Sequence, residues 1–351
     1  MNKQQIIDLW RLSFNDTEEF IRLYFDRVYK EENTLVIEKD GQVVSALQML
    51  PYTMTYYGTE ISVAYISGAC TLPSMRGKGL MKQLMQKAFD EMKYRSVAVA
   101  ALIPANPWLF DYYRELGYTE TFDCSEDTYI RPETPVYAPQ ITVVPPEVPS
   151  LDQLYDYFNR KIRERQCCVL HTKDDFVTIL RDLQLDGGQM LTALNEKDQP
   201  IGMAFTLPPD HTPGLSEDKK QVYVKEFFYD DDRVANLLLQ EATLQNNVNK
   251  AIYKTPPVVP ATRPVGMARV IDTERLIHHW LSTHRGHRLS HWLSHRWHTL
   301  WTHVVHHADT IYFYILVLYF RSCGCICFLL KSLVSCIEET KFLHLRIYKS
   351  F

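Results

Sequence analysis

The sequence lacks three features that would settle its class at a glance. It has no apolar leader: the opening residues, MNKQQIIDLWRLSF, carry charge throughout, so no secretory signal is expected. It has no cysteine framework. Of its eight Cys, Cys70, Cys124, Cys167 and Cys168 are scattered through the body and the others sit in the tail, which is not the pattern of a disulfide scaffold. It also has no strong charge of either sign, since a net charge of −4 argues against nucleic acid as the main partner. These absences lead us to expect a cytoplasmic chain with reduced thiols.

What is present is enough for packed cores: 46% of the 351 residues are apolar, and the length suits two or three domains. Charge is unevenly spread. Residues 278–351 hold 8 Lys/Arg and 3 Asp/Glu, whereas residues 1–277 hold 30 and 39. An acidic body suits a cationic substrate such as an amine; solubility alone would account for it equally.

The chain is organised around residues 65–118. An apolar strand ends at Pro73 and is followed by the turn Arg76-Gly77-Lys78-Gly79-Leu80-Met81. Two glycines within three residues allow positive φ and close backbone approach. Next, Leu80, Met81, Leu84, Met85, Ala88 and Met92 recur at helical spacing, which predicts a helix with one core face. Strand, Gly-rich turn and helix N-terminus together make an anion site, most often for phosphate. Arg76 and Lys78 suit phosphate pairing and suit a solvated loop as well. Ser96–Ile103 predicts a strand buried on both faces, and Asn106 before Pro107 predicts a helix N-cap.

This layout resembles the GNAT acyltransferases, whose coenzyme-A loop reads (Arg or Gln)-x-x-Gly-x-(Gly or Ala). Arg76, Gly77 and Gly79 fit it, with Gly79 at the fourth position; Met81 stands at the sixth, where a small residue is usual. The segment Tyr113-Arg114-Glu115-Leu116-Gly117-Tyr118 matches the family pattern Tyr-x-x-x-Gly-(Phe or Tyr). The resemblance implies an α+β GNAT fold, with a mixed, mostly antiparallel sheet and flanking helices. It implies acetyl-CoA as cosubstrate, held by Arg76, Gly77, Lys78, Gly79, Leu80, Met81 and Asn106, and by the backbone of Cys70 and Leu72 at the splayed strand end. Tyr113 would protonate the leaving thiolate after direct attack by an amine, and no metal is needed. Cys70 reads as a small buried residue rather than a nucleophile, and Tyr112 as packing. The acceptor is left open between polyamine, aminoglycoside and protein amine. The rival reading is a non-catalytic acyl-CoA-binding or regulatory protein, or an inactive, C-terminally damaged enzyme.

Upstream, Asp16 and Glu19 have the form of a capping box restarting a second helix. Asp40-Gly41 and Gly58-Thr59 predict two hairpins. Downstream, residues 131–150 hold six Pro and read as a linker. The run Val222–Tyr229, then Asp230-Asp231-Asp232 and a helix, echoes residues 65–92 without the glycines or the basic pair. We read a degenerate GNAT-like domain. A GNAT domain followed by a degenerate one resembles the enhanced-intracellular-survival type, which includes aminoglycoside acetyltransferases. That resemblance implies a sterol-carrier-like third domain, with Gly266–Asp272 near its start. The expected division is therefore 1–135, 136–260, 261–277 and 278–351.

From His278 the composition changes. Ten of the 13 His and four of the six Trp lie between 278 and 307, and an apolar run follows at 311–320. A metal module, a membrane anchor interrupted by Arg321 and Lys331, and an out-of-frame end are the three readings, the last preferred. In the related enzymes the C-terminal carboxylate acts as base. Here the last residue, Phe351, stands on an unrelated tail, so the base is left unassigned. The related enzymes associate through their later domains, which leaves a homo-oligomer open.

Overall fold

The computed structural model describes residues 3–209, 220–255 and 263–283; the tail beyond 283, where the metal, anchor and out-of-frame readings fall, lies outside them. Two N-terminal helices, α1 (Lys3–Ser13) and α2 (Glu18–Arg27), pack Trp10, Tyr24 and Phe25 on the sheet. The expected capping box is replaced by a different division of labour. Thr17 caps α2 by accepting from the Phe20 N–H, and Asp16 instead accepts from the Trp10 indole at 2.8 Å.

Strands β1 (Thr34–Lys39), β2 (Gln42–Tyr56) and β3 (Thr59–Thr71) form the expected antiparallel meander. Its first turn is Asp40-Gly41, both at positive φ, as a type I′ hairpin requires. Its second turn is Tyr57-Gly58, one residue earlier than the sequence suggests. Helix α3 (Leu80–Tyr94) crosses to β4 (Val99–Leu102), parallel to β3; α4 (Pro107–Glu115) and β5 (Thr119–Ile130) follow. Buried Leu84, Met85, Ala88, Phe89 and Met92 line the inner face of α3, so the predicted stripe holds, with Phe89 added.

The second half repeats the two helices, the three-stranded meander, a helix and a parallel strand, with two short strands added. Strand β6 (Thr142–Val144), α5 (Leu151–Arg163), β7 (Val169–Leu170) and α6 (Lys173–Leu185) precede an antiparallel meander of β8 (Gln189–Leu194), β9 (Pro200–Leu207) and β10 (Val222–Tyr229). Helix α7 (Asp232–Gln245) then leads to β11 (Lys250–Thr255), parallel to β10. Among the links between the halves, β7 pairs with β2, and the Arg27 guanidinium of α2 donates to Thr178 of α6 at 2.8 Å.

The last described strand departs from expectation. β12 (Arg263–Val270), expected to open a third domain, joins the first half's sheet, antiparallel to both β4 and β5. Its register places Met267 opposite Leu102 on one side and Glu120 on the other. The cause is an unfilled gap: without β12, both β4 and β5 would show an edge of unpaired N–H and C=O groups. Helix α8 (Thr273–Thr283) then buries Leu276 against the α1–α2 side of the core. β5 is long enough to serve both halves: residues 119–124 pair with β12, residues 125–130 with β11. The order β1-β2-β3-β4-β12-β5-β11-β10-β9-β8-β6 thus runs through one mixed sheet. Among the described residues no helix is long and apolar enough to cross a membrane.

Candidate active site

The site begins where β3 and β4 part. Their ladder holds only Val63–Val99, Ala64–Ala100 and Tyr65–Ala101, yet β3 runs on to Thr71. Beyond Tyr65, β3 keeps its other neighbour, β2, through a bulge opposite Leu47. Gly68 makes that bulge possible. Its φ is +58°, and an added Cβ would lie 2.2 Å from Gln48 Oε1 and 2.4 Å from the Trp10 ring. Behind it, the Tyr24 hydroxyl bridges Gln48 and Ser67, each at 3.1 Å.

The bulge also decides which backbone groups face the gap. The Leu72 N–H donates to the Val44 carbonyl at 2.8 Å. Because antiparallel pairs alternate, Leu72 and Cys70 both turn their main chain towards β2. Ala69 and Thr71 turn theirs to the open side. The sequence-named positions, Cys70 and Leu72, are therefore one residue out of phase; a one-residue bulge produces that shift. The Leu72 carbonyl is used as well, accepting from Met75 N–H, and that of Cys70 accepts from the Ser45 hydroxyl. The Cys70 thiol is buried, and burial pushes it up to about 12, so it is no nucleophile at neutral pH.

Beyond the strand, a 3₁₀ turn, Pro73–Met75, leads to Gly77 (φ +74°) and Gly79 (φ +72°). Around both, open space lies where a Cβ would point. Gly79 is the N-cap of α3 and supplies no side chain, so the first N–H groups of the helix stay available. Met81 turns towards the α3–α4 core and leaves its amide exposed to the loop. Arg76 donates to the Thr71 carbonyl at 3.1 Å and Lys78 lies against the Met75 sulfur. Among the described residues neither pairs with a carboxylate.

On the far side of the gap, the half-buried Asn106 stands at the N-cap of α4, and its side chain makes no capping bond. Tyr113 is buried, edge-on to Tyr112 at 5.3 Å and to Tyr118 at 5.7 Å. Burial first, and the neighbouring Tyr112 second, push its phenol above the ordinary range, so it carries its proton at neutral pH. From β12, Arg269 lies 4.0 Å over the Phe89 ring and donates to the Leu116 carbonyl, holding the end of α4 in place.

The second half keeps the scaffold and changes the chemistry. β10 leaves β11 after Val224 and has its own bulge there. In the corresponding place the buried Glu226 and the partly buried Arg165 pair at 3.6 Å. At the N-terminus of α7, the Asp231 carboxylate accepts from the N–H groups of Arg233 and Val234. The donors left open at α3 are thus occupied at α7 by the protein's own carboxylate.

Residues 2–121 match the family model described as an acetyltransferase (GNAT) domain. The matched segment has the GNAT fold and is an acyltransferase domain. Solved structures extend the likeness of fold beyond that segment. A GCN5-related N-acetyltransferase from Anabaena variabilis aligns at TM-score 0.61 and 16% identity, over 77% of this chain and 70% of its own. Eis1 from Mycobacterium abscessus aligns at 0.59 and 14%, over 78% and 72%. A GCN5-related N-acetyltransferase from Kribbella flavida aligns at 0.58 and 15%, over 76% and 68%. No curated protein matches the sequence. Sequence reasoning missed Gly68, Ala69 and Thr71, although a lone glycine inside a strand is a bulge signal. It also missed Arg269, for which no local signal exists.

Proposed function

We propose that the chain is an acetyl-CoA-dependent N-acetyltransferase, with an amine attacking the thioester directly. The observation that carries this reading is the contrast between two helix N-termini on one scaffold. That of α3 is glycine-capped, flanked by two cations without carboxylate partners and open to an anion; that of α7 is filled by Asp231. The residues fit coenzyme A. The pyrophosphate is assigned to the amides of Gly77–Met81 with Arg76 and Lys78, and the amide-bearing arm to the gap between β3 and β4. The open N–H groups at the bulge would stabilise charge on the thioester oxygen. Tyr113, kept protonated by burial, would supply the proton for the departing thiolate, and Asn106 would contact the cofactor at the mouth of the gap.

The two halves are read as a catalytic GNAT unit and a GNAT-like unit without a cofactor, close to the enhanced-intracellular-survival type in layout. The acceptor would approach from the α1–α2 side, opposite α3. Calorimetric titration tests the cofactor assignment. Coenzyme A is expected to bind the protein, and Gly79→Ala is expected to weaken it at least tenfold by placing a methyl group in the open cradle. Equal affinity for the two proteins would remove the loop from the site.

A further inference from the structure

Trp108 is 65% exposed on α4, two residues past the Asn106 N-cap. Its place follows from the topology. β3 and β4 are parallel, and α3 and α4 each follow the C-terminal end of one of them. The two helix N-termini therefore share the edge of the sheet where the gap opens. Positions 108 and 115 lie two turns apart on one face of α4. Glu115 lines a groove of about 590 Å³ between α3 and α4, with Lys82, Gln83, Gln86 and Phe89 of α3. Trp108 thus stands at the loop end of that groove. Charge is graded along it. Arg76, Lys78 and Lys82 are at the loop end, and among the described residues none of them pairs with a carboxylate. Glu115 and Arg269 are at the far end, where Arg269 lies over Phe89.

We propose that Trp108 is the platform on which the adenine of coenzyme A stacks. This rests on the acyl-CoA reading above and adds to it a binding residue outside both GNAT motifs. Coenzyme A has two ends about its pyrophosphate. With the amide-bearing arm in the gap and the pyrophosphate on the α3 amides, the adenosine leaves the loop on the side away from the gap, where the α3–α4 groove begins. Adenine is flat and uncharged, so an exposed ring holds it better than an ion does, and stacking tolerates small errors of position. An indole has only two side-chain torsions to fix, so ordering it costs little. The cations at the same end hold the phosphates that bring the base to the ring.

The test titrates two ligands into the parent protein, Trp108→Ala and Trp108→Phe by calorimetry. Coenzyme A carries the adenosine; 4′-phosphopantetheine keeps the arm and one phosphate and lacks it. Trp108→Ala should weaken coenzyme A about tenfold and leave 4′-phosphopantetheine unchanged. A tenfold change is about 1.4 kcal/mol, within the range of base–aromatic stacking. Trp108→Phe keeps a ring and should bind coenzyme A within about threefold of the parent. Adenosine 3′,5′-bisphosphate should quench tryptophan fluorescence in the parent and not in Trp108→Phe; where 4′-phosphopantetheine binds too weakly to titrate, this quenching decides. Parallel weakening of both ligands in Trp108→Ala, a loss of coenzyme-A affinity under threefold, or equal quenching of parent and Trp108→Phe overturns the platform. Failure of the parent protein to bind coenzyme A overturns the acyl-CoA reading and the platform with it. The exposure of Trp108 means that neither variant empties the core.

Discussion

At Gly68 a side chain has nowhere to go: the Trp10 ring and the Gln48 amide already fill the place of its Cβ, and the backbone is left-handed. Gly68→Ala is expected to lower stability by about 3 kcal/mol, the cost of overpacking a core, read from the urea midpoint. An unchanged midpoint would mean the bulge can relax. Tyr113 carries the chemical prediction. Tyr113→Phe should cut turnover at least a hundredfold, in the range of general-acid effects, while coenzyme-A affinity holds; turnover within a factor of two of the parent's would remove Tyr113 from the acid role. These residues divide cleanly by how far their signal reaches. The turn holding Arg76, Gly77 and Gly79 ahead of α3, and the place of Tyr113 on α4, were legible because they depend on short, local spacing. Thr71 and Ala69 were not, because the phase of a strand's amides depends on a bulge set by packing against Trp10.

At the scale of elements, α3 and α7 are the same helix in two uses. Asp231 closes α7, and bonds from the Val234 and Arg233 amides and the Arg233 side chain hold its carboxyl below the usual range. Asp231→Ala should cost about 1 kcal/mol, as for a lost N-cap, by urea unfolding. The contribution is present above the ordinary carboxylate pKa and is lost as pH falls through the depressed one, so parent and variant should converge in acid. No difference at neutral pH would show that the cap is idle. The run of three Asp was legible as hostile to phosphate. Which of them caps the helix was not: Asp230 turns instead to the Tyr157 hydroxyl at 3.2 Å and to Lys161 at 3.4 Å. Helix α3 and the strand–helix pair β10–α7 followed from apolar periodicity, whereas the partner of β12 did not. Its pattern fits any half-buried strand, and only the gap between β4 and β5 selects its place.

At the scale of the whole molecule, His171 sits where the halves meet, following β7, which pairs with β2. Its ring lies against Tyr52 at 5.6 Å and Phe158 at 6.2 Å. It is buried with neither ring nitrogen hydrogen-bonded, and burial pushes its pKa down to about 4 against the opposing pull of Asp175. An unfolded histidine titrates near 6.5. Between pH 6.5 and 4 the unfolded chain therefore binds a proton that the folded chain does not, and stability falls as pH is lowered through that window. The loss reaches on the order of 3 kcal/mol and levels off below pH 4. His171→Phe should flatten this part of the stability–pH curve; an identical slope would place the acid sensitivity elsewhere. β12 makes the other whole-molecule prediction. A chain ending at residue 262 should lose cooperative thermal unfolding, since β4 and β5 are then left with bare edges, and a sharp transition in that truncated chain would contradict it.

Acyl transfer at the gap between β3 and β4 is tested most directly by thiol release. The protein is supplied with acetyl-CoA and a panel of polyamines, aminoglycosides and lysine peptides, and free coenzyme-A thiol is followed beside a Tyr113→Phe control. Amine-dependent thiol release is expected from the parent protein, with its loss in the control while coenzyme-A binding stays intact. Coenzyme A failing to bind at millimolar concentration, or thiol release equal in the two proteins, would contradict it.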